Sequence, residues 1–535
     1  MEFPEIAHDR VLHAVDLPRQ QHLSETLALA RQQQQQLTPS TSASSLNEQS
    51  PLLPVVIDKL LSAEERDAVH ADELLTTWEI VRFEWRQLTW LSAPMMVAGL
   101  LDILPDMVLT MMAGHLSVAK STQYLAALSL SNISQVFVAD GIVNGFSSAM
   151  DTLCSQSFGG NRTKELWMFV QAGFVLYLVC LPFMAAVLLS GNAILLALGQ
   201  DPEIAAIAGT MLIAASVAIP FDMVYATMKS ALQAQNIAWP FMLASLLGWL
   251  VSGVSAYLLA YHTSLGIVGI AMASPISWCV KMLVLAPVLL QNRVFLDSWP
   301  GWRLREALTL VPKLAKLGLS STLMVVSQMI GYGSISLLAG LLPNASVMIS
   351  ANGIFVSMLA LSVMPLMSFC IATAIRIGNS LGAGQARRAT LLSRVVLVSS
   401  LGISLLAMLV MSLVAEPYAS SFTSNEEATR EAASLIRTLV PMVPLLGLML
   451  GLQGIFRACG KQMLCAQFNV LFLFVFGMPL GLLLALQFDE GVMGLWLGHA
   501  CGLMLFLAAG FVWLARLSWR QMAHAAKMNT SLHIE

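Results

Sequence analysis

Several carboxylates stand inside apolar runs in the first half of the chain. Asp102 and Asp106 lie four residues apart with Pro105 between them, and Asp140 and Asp222 follow in later apolar runs. A charged side chain in hydrocarbon costs at least ~2.5–3.5 kcal/mol on insertion scales, so such residues usually have a function. The chemistry that suits them is reversible binding of a proton or another cation.

The spacing of the first two acids predicts that they interact. Residues four apart share one face of a helix. Two poorly solvated carboxylates this close do not both ionise readily, so we expect Asp102 and Asp106 to share a proton near neutral pH. Pro105 lacks a backbone donor and clashes with the carbonyl of Leu101, which predicts a kink. The alternative for these acids, and for Asp140 and Asp222, is a structural hydrogen-bond network.

The composition places these acids in a membrane. The 535 residues are 57% hydrophobic and only 11% charged, which excludes a soluble globular protein of this size. Apolar runs of about 20 residues recur, each long enough to cross ~30 Å of hydrocarbon. We predict an all-α polytopic membrane protein with twelve transmembrane helices, near residues 89–113, 123–148, 167–190, 204–227, 239–261, 266–290, 317–341, 347–374, 393–414, 433–455, 464–486 and 491–515.

The N-terminal region has a different composition. Residues 1–80 are polar and include the glutamine run Gln32–Gln36, which predicts a disordered cytosolic tail. Within it "EQSPLL", Glu48–Leu53, fits a weak acidic-dileucine pattern, so it is either a site for a sorting adaptor or a chance match. Leu74–Leu88 is amphipathic and predicts a short helix lying at the membrane interface.

One phrase occurs twice. "AMDTLCSQSFGGNRTKEL" at Ala149–Leu166 resembles "ATAIRIGNSLGAGQARRA" at Ala372–Ala389, and the glycines of both predict tight turns. The chain therefore consists of two homologous lobes, residues 81–290 and 317–516, joined by a cytosolic linker, 291–316, and followed by a cytosolic tail, 517–535. Six helices return the chain to the same side, so this is a parallel repeat with its axis along the membrane normal.

Six short phrases identify a family. "MAGHL", "DTLCSQSFGG", "GQDPE", "QAQN", "RIGNSLGAGQ" and "LQGIFRACG" occur in this order across the two lobes. Together they resemble the multidrug and toxic compound extrusion (MATE) family, in its eukaryotic form. The resemblance implies a secondary antiporter, not an enzyme, that exports organic cationic or amphipathic xenobiotics or metabolites by alternating access. Exchange is for protons or sodium ions, with no other cofactor, no nucleic acid and no metal site. The membrane is the plasma membrane or a vacuolar or lysosomal one.

The chain departs from the family pattern at the acids. Bacterial members usually have an acid in span 1 just before "MAG", where this chain has Leu109. Eukaryotic exporters of organic cations usually have glutamates in spans 7 and 10, where Gln328, Gly333 and Leu446 stand.

Within this resemblance, each candidate residue receives a role. We assign proton or cation coupling to Asp102, Asp106 and Asp140. The substrate cavity is assigned to Gln328, Tyr332 and Asp222. Pro105 is assigned the helix kink.

Three other functions stay as alternatives. A lipid-linked flippase of the same superfamily needs a large basic cavity, and no cluster of arginines occurs within the spans. A non-transporting scaffold or receptor does not need the intramembrane acids. A membrane enzyme is disfavoured because neither HExxH nor GxSxG occurs.

Loop charges predict that both termini are cytosolic, because basic residues concentrate in cytosolic loops. With that orientation the outward loops contain little more than Lys120 and Arg430, whereas the inward loops contain Arg162, Lys164, Lys229, Arg293, Arg303, Arg305, Lys313, Lys316, Arg376, Arg387, Arg388, Arg394, Arg457 and Lys461.

An epitope tag at the N-terminus should bind antibody only after the cells are permeabilised. Labelling of intact cells would contradict this topology.

Overall fold

The computed structural model describes residues 74–116, 120–339, 342, 345–422, 426–488 and 490–531. All regular structure in these ranges is helical. The first lobe contains α1 (Thr77–His115), α2 (Gln123–Gly159), α3 (Thr163–Leu189), α4 (Pro202–Ala234), α5 (Trp239–Tyr261) and α6 (Ile267–Leu290). The second lobe contains α7 (Leu304–Ala339), α8 (Ala345–Gly382), α9 (Ala386–Phe422), α10 (Glu426–Leu439 and Met442–Ala458), α11 (Gln462–Gln487) and α12 (Gly491–Arg516).

The prediction of twelve membrane-spanning helices is confirmed. Eleven helices are long and apolar enough to cross a bilayer, and a helix pair bent by 57° makes the twelfth. This pair is α10, which breaks between Leu439 and Met442, where Pro441 has no N–H to donate to a continuous helix.

Helix α1 differs from its prediction at the N-terminal end. Thr76 and Glu79 form a capping box, and the 39-residue helix continues without a break through Pro105. At 1.5 Å per residue it is roughly 58 Å long, well beyond the ~30 Å hydrocarbon core. The prediction of a separate interfacial helix over Leu74–Leu88 is therefore wrong. The predicted disordered tail covers residues 1–80, and its first 73 residues, with Glu48–Leu53 among them, lie outside the described residues. Its last four residues, 77–80, are helical, which contradicts the prediction there.

The connections are more structured than the sequence suggests. The predicted linker, 291–316, contains a short helix, Arg293–Ser298, and the first turns of α7. The Gln171 side chain on α3 anchors it, since its amide donates to the Gly301 carbonyl at 2.8 Å and its oxygen accepts from the Arg303 N–H at 2.8 Å. The predicted C-terminal tail contains α13 (Trp519–Thr530), which packs against α2, α8 and α9.

The lobes meet through helices that exchange under the repeat. Helix α1 packs on α8, α2 packs on α7, and α2 packs on α8. Because α1 corresponds to α7 and α2 to α8, a two-fold rotation exchanges the first two contacts and maps the third onto itself. These contacts are those expected of two lobes related by an axis along the membrane normal.

The two copies of the repeated phrase contact each other at this interface. A Cβ on Gly159 would lie 2.0 Å from the Asn379 carbonyl oxygen, and one on Gly382 would lie 1.9 Å from the Gln156 carbonyl oxygen. The two contacts are equivalent under the repeat. Positive φ angles occur instead at Asn161 (57°) and Gly384 (75°). Gly159 and Gly382 thus allow close approach of the lobes, and only Gly384 is a turn glycine of the kind predicted.

Replacing either contact glycine should weaken the association of the lobes. Gly382→Ala or Gly159→Ala places a methyl group against a backbone carbonyl that cannot move independently, so we expect a lower thermal unfolding temperature in detergent. Gly402→Ala on α9 is the matched control, since nothing lies within 4 Å of its Cβ position. There the gain in helix propensity of about 1 kcal/mol should maintain or raise stability. Equal melting of Gly382→Ala and Gly402→Ala would refute the assigned role.

Candidate functional site: carboxylates of the first lobe

The structure brings the four predicted acids of the first lobe into one electrostatic cluster. Asp106 interacts with Asp102 and with Lys281, and Asp140 interacts with Asp106. Asp222 interacts with Asp140, Asp102 and Lys281. Helices α1, α2, α4 and α6 each contribute at least one member. The cluster thus combines four carboxylates with Lys281, and Lys229 on α4 also interacts with Asp222.

Lys281 belongs to this cluster, although our sequence analysis did not predict it. Its Nζ donates to Asp102 Oδ1 at 2.8 Å and lies 4.4 Å from the centroid of the Trp278 ring. The lysine side chain is only 6% exposed, whereas that of Asp102 is 41% exposed. The signal was present in the sequence, because a lysine inside an apolar run is as costly as an aspartate.

The lysine changes the role expected for Asp102. Its ammonium hydrogen-bonds to the Asp102 carboxylate. Lys281 therefore competes with the proton that we predicted Asp102 and Asp106 to share. Asp106, Asp140 and Asp222 make no such hydrogen bond to an ammonium among the described contacts. Asp106 is exposed on α1.

Asp140 lies where α2 changes its helical geometry. Residues Val136–Asp140 form a π-helical segment within α2, before the α-helix resumes at Gly141. Such segments are rare and are frequent at functional sites. The wider turn is not encoded in any residue type that sequence reasoning recognises. A second π segment, Asn469–Gly477, lies in α11.

In the second lobe, Gln328 and Tyr332 belong to a neutral cluster of amides and aromatic rings. Gln328 Nε2 donates to the Tyr332 hydroxyl oxygen at 3.4 Å, and Gln453 Nε2 donates to Gln328 Oε1 at 3.4 Å. The Tyr332 ring stacks on Trp496 with 6.0 Å between centroids and lies 5.5 Å from the His499 ring. Trp496 and His499 were not predicted as site residues. Aromatic faces of this kind attract organic cations without any acid.

A buried ion pair closes the face of the protein that holds the repeated turns, the start of α1 and α13; we call this the basic face. Glu84 on α1 is fully buried, and its Oε2 accepts from Arg376 Nη2 at 2.7 Å. Arg388 lies 3.5 Å from the other oxygen, and Arg376 Nη1 also donates to Asn236 Oδ1 at 3.1 Å. The ion pair joins the lobes, and the structure is closed at this face.

Further hydrogen bonds join the lobes beside this ion pair. Thr152 Oγ1 donates to the Arg457 carbonyl at 3.1 Å, and Gln156 Nε2 donates to the Ala458 carbonyl at 2.9 Å. Both donors belong to the first copy of the repeated phrase. Among the described residues no group of three His, Cys, Asp or Glu side chains has the arrangement of a metal site.

Comparison with known proteins decides the family. The MatE family model matches residues 94–258 and, again, residues 318–483, once in each lobe. The chain belongs to the MatE family. Members of this family are transporters, so this MATE protein is a transporter and not an enzyme.

Similar proteins occur in animals and plants. "Multidrug and toxin extrusion protein 2" of Oryctolagus cuniculus is 30% identical over 454 residues, which cover 84% of this chain and 74% of that protein. "Protein DETOXIFICATION 16" of Arabidopsis thaliana is 30% identical over 429 residues, which cover 79% and 86% of the two chains.

Solved structures confirm the MATE fold. The eukaryotic MATE transporter AtDTX14 superimposes with a TM-score of 0.78 at 22% identity, covering 84% of this chain and 100% of that one. The bent form of the Vibrio cholerae MATE transporter VcmN gives a TM-score of 0.70 at 20% identity, covering 84% and 99%.

The ion pair in the first lobe of this MATE protein can be tested by a double-mutant cycle. Asp102→Asn leaves the buried ammonium of Lys281 unpaired, so we expect a loss of about 2 kcal/mol in the free energy of unfolding. Adding Lys281→Met removes the unpaired charge and should recover most of that loss. Asp106→Asn, one turn away, is the matched control and should cost less. Additive effects of Asp102→Asn and Lys281→Met would contradict the pairing.

Proposed function

We propose that this MATE transporter is an exporter that exchanges organic cationic or amphipathic compounds for protons or sodium ions by alternating access. The observation that supports it most directly is the excess of carboxylates in the first lobe. Four acids cluster with two lysines, Lys281 and Lys229, and among the described residues only Asp102 accepts a hydrogen bond from either, so carboxylates are in excess. A cationic compound or protons can compensate that charge, and both compete for it.

Competition of this kind gives coupling. If protons neutralise Asp106, Asp140 or Asp222, the attraction for a cationic substrate falls, and a bound substrate in turn opposes protonation. One pKa unit is equivalent to ~1.4 kcal/mol, or about tenfold in affinity, so modest differences between states suffice. We propose that protonation of these acids changes the bend of α1 near Pro105, and that this movement alters the contact of α1 with the second lobe.

The neutral cluster in the second lobe supplies the other half of the proposed cavity. The rings of Tyr332 and Trp496 and the amide of Gln328 offer stacking and hydrogen bonding to an organic compound of either charge. In our proposal this side selects the shape of the substrate, and the acids of the first lobe respond to its charge.

Alternating access requires the closed basic face to open. We place this face in the cytosol, with both termini, in the plasma membrane or a vacuolar or lysosomal membrane. Substrate loading then requires the Glu84–Arg376 ion pair to separate and become hydrated. The contacts of Gly159 and Gly382 allow the two lobes to pack closely again when this face closes.

Exchange by the purified protein in liposomes tests this function. With an imposed pH gradient, wild-type protein should accumulate a fluorescent organic cation, and Asp106→Asn should abolish the effect of the gradient because it removes a protonatable group. Gln328→Ala is the matched control in the second lobe and should change apparent affinity while the effect of the gradient persists. If Gln328→Ala abolishes pH dependence and Asp106→Asn retains it, the roles of the lobes are reversed. If wild-type protein moves none of a panel of organic cations, the exporter proposal is wrong.

A further inference from the structure

Lys281 occupies a position that is built to hold it. Its ammonium is 2.8 Å from Asp102 Oδ1, and its side chain is 6% exposed. The stem of the lysine lies where Gly248 on α5 has no side chain, since a Cβ there would be 2.7 Å from Lys281 Cε. The Trp278 ring lies beneath the ammonium at 4.4 Å. Contacts from α1, α5 and α6 thus hold one cation inside the first lobe.

Side chains that carry oxygen atoms lie on the helices that hold this lysine. Besides the Asp102 carboxylate, Ser277 Oγ donates to the Gly248 carbonyl at 3.0 Å beside the lysine stem. The Tyr225 hydroxyl and the Ser245 side chain are adjacent to each other on the neighbouring helices α4 and α5. Carboxylate, hydroxyl and carbonyl oxygens are the ligands that hard metal cations prefer. Here the Asp102 carboxylate is paired with an ammonium instead.

The charges around Lys281 determine which further cation can bind to this cluster, a sodium ion or a proton. Helix α1 contributes Asp102 and Asp106, α2 contributes Asp140, and α4 contributes Asp222 with Lys229 further along. Helix α5 has no charged residue. A sodium ion near Lys281 would be repelled by the ammonium, and the Asp102 carboxylate would already be engaged in the ion pair. A proton needs no coordination shell and can add directly to Asp106, Asp140 or Asp222.

We propose that Lys281 is a tethered cation that excludes sodium from the carboxylates of the first lobe and so makes the proton the coupling ion. The inference rests on the proposed exchange function, which leaves protons and sodium ions open. It assigns to Lys281 the selection of the ion, whereas the acids bind it.

Binding of ²²Na⁺ to the purified full-length protein at pH 7.5, with choline as the replacement cation, tests this inference. Wild-type protein should show no saturable binding of Na⁺, because the ammonium of Lys281 already engages Asp102 and repels a second cation. Lys281→Met should gain saturable binding at least tenfold stronger than wild type. Lys281→Arg keeps the charge and should behave as wild type, and Asp102→Asn added to Lys281→Met should abolish the gain.

Two results would overturn the inference. One is saturable sodium binding by wild-type protein, which requires no variant. The other is a folded Lys281→Met or Lys281→Gln protein that binds sodium no better than wild type; the glutamine variant serves if the methionine variant does not fold. Because no organic compound is present, a failure of exchange in liposomes would overturn the proposed function and leave this result unchanged.

Discussion

An ionised carboxylate inside a bilayer must have a cation beside it, a proton on it or water around it, and much of this structure follows from that constraint. Asp102 meets it with the ammonium of Lys281, and Glu84 meets it with the guanidinium of Arg376 at the basic face. Asp106, Asp140 and Asp222 have no cation hydrogen-bonded to them in the described contacts. In our proposal they are therefore the groups whose charge responds to protons or to a substrate that enters from water.

The two ion pairs differ in what they permit. The Asp102–Lys281 pair lies within one lobe, so it can persist while the lobes move. The Glu84–Arg376 pair crosses the lobes and must break whenever the basic face opens. Breaking it exposes a carboxylate that is now fully buried, and water must replace the guanidinium. The close contacts at Gly159 and Gly382 bring the two lobes together beside this pair.

Hydropathy and repetition predicted most of the fold. Apolar runs gave the twelve spans, and the repeated phrase gave two parallel lobes, because both signals are local. The amphipathic start of α1 predicts an interface helix, but the structure shows it as the first turns of one long helix, Thr77–His115. In the structure Glu84 on that segment is buried against the second lobe.

The candidate site was predicted only in part, since partners across helices leave no local pattern. Asp102, Asp106, Asp140 and Asp222 were found because each is an isolated acid in an apolar run. A search for basic residues inside apolar runs would have identified Lys281 in the same way. Trp496 could not be found this way, since a tryptophan in an apolar run is ordinary, and its role depends on Tyr332 and Asn352 from other helices.

The central claim is that an organic cation and protons compete for the carboxylates of the first lobe. The most direct test counts protons released when a quaternary ammonium compound binds to the purified protein in weakly buffered solution near pH 6.5. We expect about one proton to be released per cation bound, because reciprocal coupling requires that binding of either expels the other. Saturable binding of the cation with no proton release would contradict the account.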